Sequence, residues 1–218
     1  MVDEINFYHP DETVILFPDR EVLPFDHFSP HEDLTSDRLS ALCKITHLNS
    51  GTIVIAVNTL MSKLPPKKHC IASNLSIECG KKITIEDFRK KLIMLGYQNN
   101  QQVWRHGEFS LRGSILDVFP MGENKPIRIE WFDDTIETIR VFDNDTQRSL
   151  HKIEQFQCLP AHEYALNDES IAVFRQQWRE NFAEIKQESP VYTAVSHGEL
   201  ISGLETYLPL FGSYLVLI

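Results

Sequence analysis

Apolar and polar positions alternate along this chain in three successive styles, and each style predicts a different architecture. In the first stretch, residues 13–17 (TVILF) form the short apolar run of a buried strand. Ser29-Pro30-His31-Glu32 has the form of a helix start, with Ser29 as N-cap, Pro30 in the first turn and Glu32 three residues beyond the serine; Ser36 is a rival start. Leu39, Leu42 and Cys43 recur at helical spacing and predict a helix to about Leu48. Residues 52–57 are a continuous apolar run after Gly51, which predicts a strand buried on both faces of a parallel sheet. Asn58 or Thr59 then caps a short helix that ends before Pro65-Pro66. Strand, helix, strand, helix is an α/β order, and it amounts to about half of a nucleotide-binding-type domain.

The pattern changes after Lys67-Lys68. Thr84 caps a helix that shows Ile85, Phe88, Leu92 and Leu95 on one face and stops at Gly96. Strands dominate from there. Residues 108–120 (EFSLRGSILDVFP) read as one strand that Gly113 bulges or bends. Residues 126–142 read as a hairpin: Ile127, Ile129 and Trp131 alternate with Arg128, Glu130 and Phe132, Asp133-Asp134 turn the chain, and residues 136–141 return it. This part is α+β on an antiparallel sheet. Leu159-Pro160-Ala161-His162 marks a second boundary, and Asp168 opens an amphipathic helix with Ile171, Phe174, Trp178, Phe182 and Ile185 spaced three and four apart. An apolar tail, residues 214–218, predicts a last strand. The divisions are 1–73, 74–159 and 160–218, and the fold class is α/β plus α+β.

Charge sharpens this division. The whole chain of 218 residues carries a net charge of −10. Its middle part holds 12 basic residues against 13 acidic ones, while the flanks are strongly acidic. An acidic chain without a basic stripe is poorly suited to gripping phosphates, but a local group of arginines can still meet an acidic protein surface. No apolar run reaches the length of a membrane span. Residues 1–10 lack the basic-then-apolar order of a secretory signal. The four cysteines are scattered without a C-x-x-C pair, so free thiols in a cytoplasmic setting are expected.

Candidate chemistry is thin. Neither G-x-x-x-x-G-K-[ST] nor G-x-G-x-x-G occurs, so the α/β half has no glycine loop to cradle a nucleotide, and no cofactor is expected. His27 and His31 stand four apart, but Pro30 interrupts the helix that would align them on a metal. Glu130 with Asp133 fits an exposed strand and turn better than an acid–base pair, and Ser110, Ser114 and His106 lack a nucleophile-elbow pattern. No catalytic or metal-ligating residue is assigned. Arg112, Arg128 and Phe132 are different. The period of two puts Arg128 and Phe132 opposite the apolar trio Ile127, Ile129 and Trp131, while Arg112 opposes Phe109 and Leu111. An exposed aromatic beside arginines is the chemistry of an interaction hot spot. The pattern alone equally allows Phe132 to fold over the hairpin tip with both arginines merely solvated.

At these residues the chain resembles a known family. H-G-E-F-S-L-R-G-S-I-L-D-V-F-P at 106–120 and P-I-R-I-E-W-F-D-D-T-I-E-T-I-R-V-F-D at 126–143 are similar to domain 2 of the excision-repair protein UvrB and to its counterpart in bacterial transcription-repair coupling factors. The segments L-P-F-D-H-F-S-P-H-E-D-L-T-S-D-R-L at 23–39, V-N-T-L-M at 57–61, Q-R-S-L at 147–150 and Y-L-P-L-F at 207–211 favour the coupling factors; a fragment of ATP-dependent UvrB is the alternative. The resemblance implies a truncated RecA/helicase-like domain 1A at 1–73, an inserted UvrA-interaction domain 2 at 74–159 and a domain 1B-like part at 160–218. It implies that the chain starts inside domain 1A, and that Gly212 to Ile218 departs from the family's usual continuation. It also implies a UvrA-recruiting adaptor without catalysis of its own, with Arg112, Arg128 and Phe132 as the contact. The translocase motor and the contacts to RNA polymerase and double-stranded DNA would lie outside these residues, and a C-terminal domain would mask the UvrA-binding face at rest.

Overall fold

A computed structural model describes residues 1–23, 26–65, 75–182 and 189–212. In the first part, helix α1 (Val2–Tyr8) precedes β1 (Val14–Phe17), α2 (Glu32–His47), β2 (Thr52–Ile55) and α3 (Val57–Leu60). β1 and β2 pair in parallel, as the α/β order requires, with Ile15 beside Ile53 and Phe17 beside Ile55. Ile15 and Phe17 are buried against Ala41 and Leu42 of α2 and against Leu64. The other face of this pair stays open at Leu16, which is 55% exposed, and Ile53, beside Ile15 on the core side, is itself 36% exposed. The expectation that 52–57 is buried on both faces is therefore corrected, because among the described residues the sheet has two strands and its core lies on the α2 side.

Three local readings also change. His31, not Ser29, caps α2, its Nδ1 accepting the Asp33 N–H. The hydroxyl of Ser29 instead donates to Glu205 at 2.9 Å and accepts the Gly203 N–H at 3.0 Å. Ser36 lies inside α2 and receives the Gly122 N–H. Ala56 stands at the start of α3, while Asn58 and Thr59 both donate to the Asp19 carboxylate at 2.7 Å.

The middle part contains β3 (Leu75–Glu78), α4 (Ile85–Met94), β4 (Gln98–Asn99), β5 (Glu108–Arg112), β6 (Ile115–Val118), β7 (Ile127–Phe132), β8 (Thr135–Phe142), β9 (Ser149–Ile153) and β10 (Gln155–Cys158). Strands β4 to β9 lie in sequence order in one six-stranded sheet, parallel at β4–β5 and antiparallel elsewhere, while β10 pairs with β3. Residues 108–120 thus form a hairpin rather than one bent strand, with Gly113-Ser114 as its two-residue loop. Helix α4 is capped by Thr84, whose hydroxyl accepts the Asp87 N–H. Its Phe88 and Leu92 are fully buried with Phe109, Leu116, Val118, Ile127, Ile129 and Trp131 on the inner face of the sheet. Burying each such side chain contributes roughly 1.5–3 kcal/mol. The Trp131 indole N–H finds the Ile83 carbonyl at 2.8 Å, so its polar atom is satisfied in that core.

The last described part holds α5 (Asp168–Asn181), α6 (Pro190–Ser196) and a 3₁₀ helix (Leu204–Phe211). Asn167 and Ser170 form a capping box at the start of α5. Ile171, Phe174 and Trp178 of α5 pack with Val195, Leu204, Leu208 and Phe211 in a separate cluster. Phe182 ends the helix, and Ile185 and the predicted strand at 214–218 lie outside the described residues. The whole is a mixed α/β and α+β architecture with several sheets. No helix among the described residues is long and apolar enough to cross a membrane.

Candidate functional site

The outer face of the six-stranded sheet follows from its register. Antiparallel partners share a face, so Ser110, Asp117, Arg128, Arg140 and Lys152 form one row across β5 to β9. Arg112, Ile115, Glu130 and Thr138 form the next row. Phe132, paired with Thr135, stands at the hairpin tip on the same face. The three singled-out residues therefore do lie on one side of the sheet, and the hairpin at Gly113 does not reverse Arg112.

Arg112 and Arg128 converge on Asp117. The Nε and Nη2 of Arg128 donate to the two oxygens of this carboxylate at 2.6 and 2.8 Å, and Arg112 donates to it through Nη2. Asp117 is 2% exposed, whereas Arg112 is 53% exposed. The guanidinium of Arg128 also lies 4.7 Å from the ring centroid of Phe142, a cation–π contact. Its hydrogen bonds to Asp117 raise its pKa and outweigh the cost of burial. Arg128 is thus fixed from two sides, while Arg112 reaches outward from a shared anchor. Phe132 is 73% exposed. It does not fold over the tip. β7 keeps its alternation up to that residue although pairing with β8 shifts register between Glu130 and Trp131.

Asp117, Phe142, Arg140 and Lys152 were not singled out from the sequence. A signal for Asp117 was present: it is a lone carboxylate between Leu116 and Val118, and it faces Arg128 once 108–120 is folded as a hairpin. The other chemical candidates serve the fold. His106 bonds to the Asp33 carboxylate and to the Glu123 carbonyl, both at 2.8 Å, and Ser110 donates to the Gln101 carbonyl. Glu130 accepts from Thr138, and Asp133 takes a positive φ of 56° in the turn. No three metal-ligating side chains gather among the described residues.

Residues 75–164 match the family model of the UvrB interaction domain. The chain is 44% identical over 201 residues to the transcription-repair-coupling factor of Haemophilus influenzae, covering 92% of this chain and 18% of that protein. It is 40% identical over 211 residues to that of Escherichia coli, with 97% and 18% covered. Against that of Bacillus subtilis the identity is 29% over 172 residues, with 79% and 15% covered. The chain thus spans 18% of the length of the first two relatives. With the interaction-domain match inside a similarity that runs over nearly all of its residues, the chain belongs to the bacterial transcription-repair-coupling factor family, as the segment that carries the UvrB interaction domain.

Proposed function

We propose that this chain is a non-catalytic adaptor that recruits UvrA through the outer face of its six-stranded sheet, so that excision repair is directed to lesions that have stalled RNA polymerase. The carrying observation is the cluster itself: Arg112 and Arg128 meet on a buried carboxylate, and an aromatic ring that is 73% exposed stands on the same face. Exposed aromatics and arginines dominate the energetics of protein interfaces, and a pre-fixed guanidinium loses little entropy on docking. Under this reading residues 1–73 are the later part of a RecA-like domain 1A, 74–159 a UvrB-type domain 2 and 160–218 a domain 1B-like part. The protein works in the cytoplasm, and RNA polymerase and double-stranded DNA are engaged by regions of the longer protein outside this chain.

The test is titration of UvrA against the full chain and its variants. Phe132→Ala and Arg112→Ala each weaken binding by about tenfold or more, roughly 1.4 kcal/mol; Phe132→Ala leaves the unfolding midpoint in place because its ring is exposed, while Arg112→Ala lowers it somewhat because the buried Asp117 loses one of its three donors. Unchanged affinity in both variants rules out this face.

A further inference from the structure

The row that contains Arg128 continues beyond the residues just discussed. Arg140 on β8 lies directly opposite Arg128 on one side and Lys152 of β9 on the other. Like charges directly opposed on neighbouring strands destabilise a sheet, so three adjacent cations call for compensation. Asp117 serves Arg112 and Arg128. Among the described residues Arg140 has only Glu130, at 3.5 Å, and that carboxylate also accepts from Thr138. The Nε of Arg140 is buried without a hydrogen-bond partner among the described residues. Lys152 is exposed and has no ion-pair partner among the described residues. With Arg112 on the next row, four cations face two carboxylates in a chain whose net charge is −10.

We infer that Arg140 and Lys152 extend the docking face into a cationic row that receives an acidic segment of the protein partner. The inference rests on the adaptor reading and adds the chemistry of what is bound. Adjacent strands lie about 4.8 Å apart, so the row from Asp117 to Lys152 spans roughly 14 Å. That length matches a few carboxylates on one short segment, laid across the strands and reaching Arg140 and Lys152 while Phe132 is buried by the same partner. A lysine on an edge strand also deters edge-to-edge pairing, but that duty does not explain a second, under-compensated cation beside it. A nucleic-acid phosphate is the less fitting ligand, because the row is short and the rest of the chain is acidic.

The experiment compares wild type, Arg140→Gln, Lys152→Glu and the double variant in UvrA titrations at low and high salt, with Phe132→Ala and Arg112→Ala as the internal controls. Phe132→Ala, Arg112→Ala or both lose binding in any outcome that keeps the adaptor reading. The inference expects the double variant to bind UvrA about tenfold more weakly at low salt and to show a flatter salt dependence than wild type. It also expects the double variant's unfolding midpoint to stay level or rise, since repulsion in the row is relieved; a merely structural role would lower it. Lys152→Glu, at an exposed position, keeps the test valid if Arg140→Gln folds poorly. Wild-type affinity in both the double variant and Lys152→Glu, with Phe132→Ala or Arg112→Ala impaired, overturns the inference and leaves UvrA recruitment standing. Wild-type affinity in Phe132→Ala and Arg112→Ala removes the adaptor reading and this inference with it. Loss of double-stranded DNA binding by the double variant, with UvrA affinity intact, also overturns it, by identifying the row as a phosphate site.

Discussion

At the scale of single residues, the organising atom group is the Asp117 carboxylate. A carboxylate 2% exposed between two apolar neighbours is expensive unless it is paired and hydrogen-bonded. Arg128 supplies a bidentate pair at 2.6 and 2.8 Å, and Arg112 adds a third donor. The carboxylate in turn orients both guanidinium groups toward the face where Phe132 stands. Asp117→Asn keeps the volume and removes the charge, and an amide cannot accept all three donors. We predict that it destabilises the fold by roughly 1–3 kcal/mol in urea unfolding, the worth of hydrogen bonds to a charged group. It also weakens UvrA binding, although a partner has almost no access to residue 117. A variant with wild-type stability and affinity would deny Asp117 this anchoring role.

At the scale of elements, the proposed docking face depends on two tight hairpins. In the loop of the first, Gly113 has φ 62° and nothing within 4 Å of where a Cβ would stand, so the cost of Gly113→Ala is purely conformational. We predict a loss of about 1 kcal/mol on thermal or urea unfolding, with Gly113→Asn closer to wild type because asparagine tolerates left-handed backbone. Equal stability of all three would mean the loop does not set the register. The second hairpin was legible in the sequence, because Asp133-Asp134 separates two clean alternations. The first was not, since a lone Gly-Ser is a weak turn signal. Yet the apolar phase switches there, from odd positions Phe109 and Leu111 to even positions Leu116 and Val118, which is what folding a strand back on itself produces. Missing that switch hid Asp117 opposite Arg128. Ser29 failed for another reason. Its local capping pattern was sound, but Gly203 and Glu205, 174 and 176 positions away, claim its hydroxyl. The open side of β1–β2 was likewise illegible, because an apolar run does not say how many layers cover it.

At the scale of the whole molecule, one buried ion cluster ties the first part to the segment that follows β10. Arg38 of α2 is fully buried, with its Nε 2.5 Å from one oxygen of Glu163, and Arg20 meets the other oxygen at 2.6 Å. Arg38 also donates to the Pro18 carbonyl and lies 4.5 Å from the Phe17 ring centroid. Burial pushes the Glu163 carboxyl up, but the two guanidinium charges and their hydrogen bonds prevail and hold it below the ordinary carboxylate range. Replacing such a pair wholesale by apolar groups can be harmless, whereas removing one partner strands a buried charge and costs about 3–5 kcal/mol. Glu163→Gln leaves Arg38 in that position. We therefore predict a large fall in stability at pH 7, read as a lower unfolding midpoint. UvrA affinity stays within about twofold, because among the described residues the proposed docking face shares no hydrogen bond with this cluster. The pH dependence follows from linkage. A carboxylate whose folded pKa is depressed gives its full stabilisation above its unfolded value of about 4.3 and loses it as pH falls toward the folded value. The gap in midpoint between wild type and Glu163→Gln should hold constant from pH 8 down to about 5 and narrow only in stronger acid. A gap that closed near pH 6.5 would place the titration on a histidine instead, and one that persisted undiminished through acid would show that the variant loses packing rather than charge.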